Sequence, residues 1–304
     1  MFEAMNAPLL RSLLSVPVLE QRFVDKAAMV PADAVVFDLE DSIAPSEKAA
    51  ARRRLAEVLP AFDGRGRQVM VRPNGLDTGL LEADLDVAVG AGPGPGAALD
   101  AVFVPKVHGP DVVRTVDAYL TFLERTRGLD DGQVALVVWI ESTSGVGRAE
   151  DICAASPRLV AAAFGAEDYV TDLGVQRRRD SGEVAYARAR VANAARAAGL
   201  VAVDCPEPDY RDADGFVADS RRARLVGYRG KFCIHPDQVA LANEVFGVDP
   251  DELDWAHRVA AAFEEGEARG LGAVGLDGAM VDRPVYLRAK ALLTRAGTCA
   301  EPAL

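Results

Sequence analysis

Eight short apolar runs, separated by segments of helical character, constrain this chain more than any other feature. They span residues 10–17, 34–40, 68–73, 101–107, 134–141, 159–165, 200–204 and 231–235. Each is nearly continuous in aliphatic and aromatic residues, as expected of parallel strands buried on both faces. Between them the period changes. Val112, Val113, Val116, Tyr119, Leu120 and Leu123 fall at three- and four-residue steps, with charged residues between them. Residues 185–198 read as another helix, ended by Gly199. Eight strands alternating with helices predict an α/β fold, a closed (β/α)8 TIM barrel. An open doubly wound sheet is the alternative, but no Gly-rich dinucleotide fingerprint follows the first strand. The GAGPGPG stretch at 90–96 reads as a loop before the fourth strand. The expected division is a barrel over 1–243 and a C-terminal helical extension over 244–304. That extension contains a Gly-rich joint at 270–278 and packs on its own barrel or on a neighbouring subunit.

Charge and cysteine usage exclude several classes. Asp and Glu number 46 against 34 Lys and Arg, a net charge of −12, which repels nucleic-acid backbones. Two basic runs, 52–54 and 177–179, read as solvated faces or as a local site for an anionic ligand. No apolar run reaches the length of a membrane span. Cys153, Cys205, Cys233 and Cys299 have neither zinc nor redox spacing and read as small buried or idle thiols of a reducing compartment. The first residues lack the features of a signal peptide, so a cytoplasmic location is expected.

In a barrel of this kind, side chains at the C-terminal ends of strands face the active site. Here those ends carry Asp38, Glu40 and Asp41, then Arg72 and Asn74, Lys106 and His108, Glu141 and Ser142, Glu167 and Asp168, and His235. Glu141 and Asp168 offer hard oxygen ligands suited to magnesium. The competing reading makes them helix caps or partners of Arg72 and Lys106. Arg72 suits a substrate carboxylate or a developing enolate oxygen, or else an ion pair with Glu40 or Asp41. A Schiff-base role for Lys106 is disfavoured, because acidic neighbours hold it charged. His235, before Pro236, suits anchoring as well as acid–base work, and His257 reads as surface.

The segments LRSLLSVP, VVFDLEDSIAPSEKAAAR, VRPNG, VFVPKV, IESTSGV, AAFGAEDYVTDLG, RGKFCIHPDQ and GAMVDRP occur in this order. Together they resemble the citrate lyase β-subunit-like, or CoA-ester lyase, proteins of the HpcH/HpaI aldolase superfamily. The resemblance runs over nearly the whole chain and implies a magnesium-dependent barrel, often trimeric. By motif, it makes Glu141 and Asp168 the magnesium ligands and Arg72 the group that holds the substrate's acid or carbonyl oxygen. Arg11 becomes a substrate or CoA contact, and Lys48 lies near CoA phosphates. Glu40 and Asp41 hold water around the ion. Asp282 becomes the catalytic Asp of a C-terminal segment that closes over an adjacent subunit's active site. The chain departs in having IES where relatives commonly have ET, and in its GAGPGPG loop.

The implied reaction cleaves, or forms, a 3-hydroxyacyl-CoA such as malyl-CoA or citramalyl-CoA. The products are acetyl-CoA and a 2-keto acid. Two other outcomes stay open: hydrolysis, as in malyl-CoA thioesterases and malate synthases, and a citrate lyase β subunit acting on a carrier-bound thioester.

Overall fold

Eight parallel strands close on themselves in the computed structural model, which describes residues 9–90 and 99–300 and side chains up to residue 297. They are β1 (Ser12–Pro17), β2 (Ala34–Asp38), β3 (Gln68–Arg72), β4 (Ala101–Val104), β5 (Ala135–Ile140), β6 (Leu159–Phe164), β7 (Val201–Asp204) and β8 (Gly230–Cys233). β1 pairs with both β2 and β8, so no edge remains. The helices of this unit are α1 (Gln21–Met29), α2 (Lys48–Ala61), α3 (Leu81–Gly90), α4 (Pro110–Arg127), α5 (Thr143–Gly147), α6 (Ala149–Cys153), α7 (Ala166–Leu173), α8 (Ala185–Ala197), α9 (Ala213–Leu225) and α10 (Pro236–Val245). The fold is the expected (β/α)8 barrel, and all eight apolar runs became its strands. Residues 91–96 of the expected loop lie outside the described residues.

The apolar runs are continuous because both strand faces are buried. On β2, Ala34 and Val36 belong to the inner cluster, while Val35 and Phe37 belong to the layer beneath the helices. The inner cluster also takes Met70, Phe103, Val137, Trp139, Ala161, Ala163, Val203 and Phe232. Phe103, Trp139 and Phe232 meet one another with ring centroids 4.7–5.4 Å apart. These rings fill the barrel, so its interior is a packed core rather than a channel.

One group of charges lies in the outer layer. Asp204 and Lys231 are register partners on β7 and β8, and both side chains are fully buried. Lys231 donates to Asp204 and to Asp219 of α9, the latter at 2.7 Å. Arg188 of α8 pairs with Asp219 at 2.9 Å and with Asp204 at 3.0 Å. Two cations and two carboxylates thus tie two helices to two strands.

The chain divides after Phe246 rather than after residue 243. The expected boundary would cut α10, and Val245 and Phe246 belong to the barrel's core. The second unit, 247–304, contains α11 (Pro250–Ala268), a hairpin of β9 (Ala273–Leu276) and β10 (Ala279–Asp282), and α12 (Arg283–Ala300). Its core joins Ala256, Val259, Phe263, Val281 and Ala289. The extension is therefore not purely helical. Its Gly-rich joint turns a hairpin at Asp277 and Gly278, at φ 51° and 78°. Positive φ at both central residues fits a two-residue hairpin turn.

Cys153, Cys205 and Cys233 are buried free thiols, and the side chain of Cys299 lies outside the described set. Among the described residues, no helix is long and apolar enough to cross a membrane.

Removing one partner of a buried charge group leaves its opposite stranded, at a typical cost of about 3–5 kcal/mol. Lys231→Met is therefore expected to lower unfolding free energy by roughly that amount in urea titration. A loss below about 1 kcal/mol would show that Asp204 and Asp219 do not depend on this ammonium.

Candidate active site

The strand period that builds the inner core also delivers the polar residues. Val36, Met70, Trp139 and Ala163 face inward. Two residues further along each strand come Asp38, Arg72, Glu141 and Gly165. All four line a cavity of about 280 Å³ at the C-terminal end of the barrel. Ser15, Cys205 and Ile234 line it from β1 and from just beyond β7 and β8, and Trp139 and Phe232 form apolar walls.

Arg72 and Asp38 are register partners on β3 and β2. The guanidinium donates twice to Asp38, at 2.7 and 2.6 Å, and pairs with Glu40 at 3.2 Å. Its carbon lies 5.0 Å from the centre of the Trp139 ring. Asp38 also accepts from the backbone N–H groups of Glu40 and Ser42. Its burial opposes ionisation, but Arg72 and these donors together hold its carboxyl below the usual range. Arg72 is thus fixed bidentately in the cavity wall, with donors to spare on its terminal nitrogens. The expected ion pair with Glu40 is present, but the main anchor is Asp38. Asp38 ends an apolar run in the sequence, and its role appears only with its register partner across the sheet.

Glu141 is buried, and its Oε1 accepts the Lys106 backbone N–H at 2.7 Å. Burial, then the nearby Asp168 charge, push its carboxyl up from an ordinary 4.5 to about 8. Asp168 lies in the first turn of α7 and lines the same cavity. A side chain at Gly165 would collide with Glu141 and with the Trp139 indole nitrogen, its Cβ falling 2.5 Å from each. Glycine is needed there for the two strands to present their groups to one space. A buried carboxylate that resists ionisation beside a second carboxylate is a site short of positive charge. The donor set is hard oxygen, so these residues fit a magnesium ion.

Glu40 and Asp41 lie on the adjacent loop, Glu40 buried and Asp41 exposed. The Lys106 ammonium donates to both, to Asp41 at 3.2 Å. These acidic partners raise its proton affinity despite partial burial. That agrees with setting aside a Schiff-base role.

Two residues expected to contact ligand have protein partners here. Arg11 precedes β1 at the opposite, N-terminal end of the barrel, where it pairs bidentately with Asp33. It does not line the cavity. Lys48 turns its ammonium onto the carbonyl oxygens of Leu39 and Glu40, at 2.9 and 2.8 Å. It braces the loop carrying Glu40 and Asp41. In both cases the motif fixed the residue but could not fix its direction. Glu167 pairs with Arg177, so the basic run at 177–179 is partly balanced internally. His235 caps α10, accepting from the Asp237 N–H at 3.2 Å, in line with an anchoring role. His257 is exposed. Asp282 ends β10 in the second unit and accepts the Val285 N–H at 3.3 Å.

Asp204, Cys205 and Asp219 also lie within metal-ligating distance of one another. Their carboxylates already hold Lys231 and Arg188, and burial pushes the Cys205 thiol up to about 11. A dication there would meet two fixed cations and a neutral thiol, so this group does not fit one.

Residues 11–236 match the HpcH/HpaI aldolase/citrate lyase family. The chain belongs to this family. It is 35% identical to the citrate lyase subunit beta of Leuconostoc mesenteroides over 95% of this chain and 93% of the relative. It is 37% identical to an L-malyl-CoA/beta-methylmalyl-CoA lyase of Cereibacter sphaeroides, covering 90% of each. A crystal structure of CitE from Mycobacterium tuberculosis, in complex with magnesium, acetoacetate and coenzyme A, aligns with a TM-score of 0.76. It is 30% identical and covers 96% of this chain and 99% of that one.

The raised Glu141 carboxyl has a signed consequence. Between about pH 4.5 and 8 the folded chain keeps a proton that the unfolded chain has released, so this group's contribution to stability falls as pH rises. A bound dication replaces that proton. The gain in Tm on adding magnesium is therefore expected to be larger at about pH 8 than at about pH 5, by scanning calorimetry. An equal gain at both would remove Glu141 from the ion's ligands.

Proposed function

We propose that the protein is a magnesium-dependent carbon–carbon lyase of CoA esters. It cleaves, or forms, malyl-CoA, citramalyl-CoA or a near relative, with acetyl-CoA and a 2-keto acid as the other partners. The convergence of Arg72, Glu141 and Asp168 on one cavity carries this reading. Family membership and the names of the relatives support it. We place the enzyme in the cytoplasm, as a homotrimer.

Glu141 and Asp168 would hold a magnesium ion, which would supply Lewis-acid chemistry to the acid half of the substrate. Arg72, locked by Asp38 and lying against Trp139, offers its free N–H donors to oxygen charge as it develops. The aromatic floor keeps water from beneath, which strengthens that interaction. In cleavage the bond between the hydroxyl-bearing carbon and the acetyl methylene breaks, its electron pair stays with the methylene as the thioester enolate, and the hydroxyl releases its proton to solvent as its carbon becomes the keto carbon. The acetyl-CoA enolate then takes a proton at carbon. Asp282 gives that proton in cleavage and, as carboxylate, removes it in condensation. It acts from the C-terminal unit of an adjacent subunit.

Purified protein is to be incubated with malyl-CoA and citramalyl-CoA, with magnesium or EDTA, while keto acid, acetyl-CoA and free CoA are followed. Magnesium-dependent acetyl-CoA plus keto acid is expected, with Asp168→Ala slower by about 10³-fold. Free CoA without keto acid would mean hydrolysis instead. A second reading, a citrate lyase β subunit working on a carrier-bound thioester, is favoured by the 35% identical relative of that name. Turnover of a carrier thioester and of neither CoA ester would select it.

The position of Asp282 has its own test. Asp282→Asn and Asp168→Ala are each expected to keep only a small residual activity alone. Subunits of the two variants, dissociated and reassembled together, are expected to regain activity, because some sites then combine an intact Asp168 with a neighbour's intact Asp282. No recovery in mixed oligomers confirmed by native mass spectrometry would return Asp282 to its own subunit or out of catalysis.

A further inference from the structure

Lys106 joins the two halves of the acidic end of the barrel. Its backbone is left-handed, at φ 54°, a conformation that suits glycine far better than lysine. That turn aims the residue's two donors in different directions. The backbone N–H reaches Glu141 Oε1 at 2.7 Å. The ammonium reaches Glu40 Oε1, and Asp41 Oδ1 at 3.2 Å. A glycine at 106 would relieve the backbone and keep the first contact, but would lose the second. The sequence nevertheless has lysine there.

The charge distribution gives a reason. Asp38, Asp41, Glu141 and Asp168 line the cavity, and Glu40 lies beside them, paired with Arg72 and Lys106. Arg72 holds Asp38 and one oxygen of Glu40. Without the ammonium, the other Glu40 oxygen and Asp41 would form a second carboxylate pair near Glu141 and Asp168. Two-metal sites hold their ions about 3.5–4 Å apart, and a carboxylate pair left free beside the ligands of the first ion is what would hold the second.

We infer that Lys106 is a positioning residue whose ammonium takes the place of a second metal ion. It fills the Glu40–Asp41 half of the cluster and confines a single divalent cation to the Glu141–Asp168 half. Its backbone N–H meanwhile holds Glu141 Oε1 and leaves Oε2 for that cation. This rests on the reading of Glu141 and Asp168 as metal ligands.

The test is manganese stoichiometry, read by electron paramagnetic resonance of free Mn2+ and by calorimetry with magnesium. The full-length wild type and Lys106→Arg are expected to bind one ion per chain. Lys106→Met is expected to bind two, or one ion about tenfold more tightly, because a nearby cation has been removed. Adding Glu40→Gln to Lys106→Met is expected to restore a single ion of ordinary affinity. Lys106→Gly guards against misfolding, since it loses the ammonium while relaxing the backbone. It is expected to match Lys106→Met in stoichiometry and to exceed it in Tm. One ion of unchanged affinity in both Lys106→Met and Lys106→Gly would overturn the inference, as would two ions in the wild type. If Asp168→Ala binds manganese as the wild type does, the ligand reading itself fails and the inference falls with it.

Discussion

Closing eight parallel strands into a ring buries both faces of every strand, and each residue must then point either into the ring or out to the helices. The rest of the molecule follows from that alternation. Inward residues stack in layers, and the lower layers must be apolar and well packed because nothing else can fill them. Here Phe103, Trp139 and Phe232 meet across the middle. The first inward position above those rings is the first that can be polar. Asp38, Arg72 and Glu141 occupy it, each two residues past an inward apolar side chain. The position of the site is therefore set by the same period as the core.

Charge in that layer is arranged in neutralising pairs, with one shortfall. Arg72 balances Asp38, and Lys106 balances the Glu40–Asp41 pair. Among the described residues Glu141 receives only a backbone N–H, and its carboxyl is pushed up to about 8. The quartet of Arg188, Asp204, Asp219 and Lys231 is the counter-example within the same barrel. Each of its charges has an opposite charge within 3.0 Å, and it holds helices to strands.

Much of this was legible in the sequence. All eight strands showed as apolar runs, because burial on both faces removes polar interruptions. The cavity's Arg72, Glu141 and Asp168 were legible too, because a charged residue ending an apolar run has few other places to go. Directions were not legible. Arg11 and Lys48 sit in segments that match the family, yet one points to the opposite end of the barrel and the other into its own loop. A motif fixes residue type, while direction depends on which partner lies nearest in space. Asp33 and the Leu39 carbonyl are partners that no spacing argument names. The role of Asp38 was hidden because it was read with its own strand rather than across the sheet to Arg72. The hairpin of the second unit was missed for a simpler reason. Its Asp277–Gly278 pair is a strong turn signal, but the short strands beside it are poor in β-branched residues.

The ring-filled floor has one more consequence. A cavity sealed beneath by packed aromatic side chains opens only at the strand ends. A small acid seated against Trp139 and Arg72 would lie deeper than any thioester brought to meet it. In the direction of bond formation the acid then has to arrive first. In the direction of cleavage it can leave only after the larger fragment has cleared its path. An order of binding and release set this way would follow from the packing of the barrel.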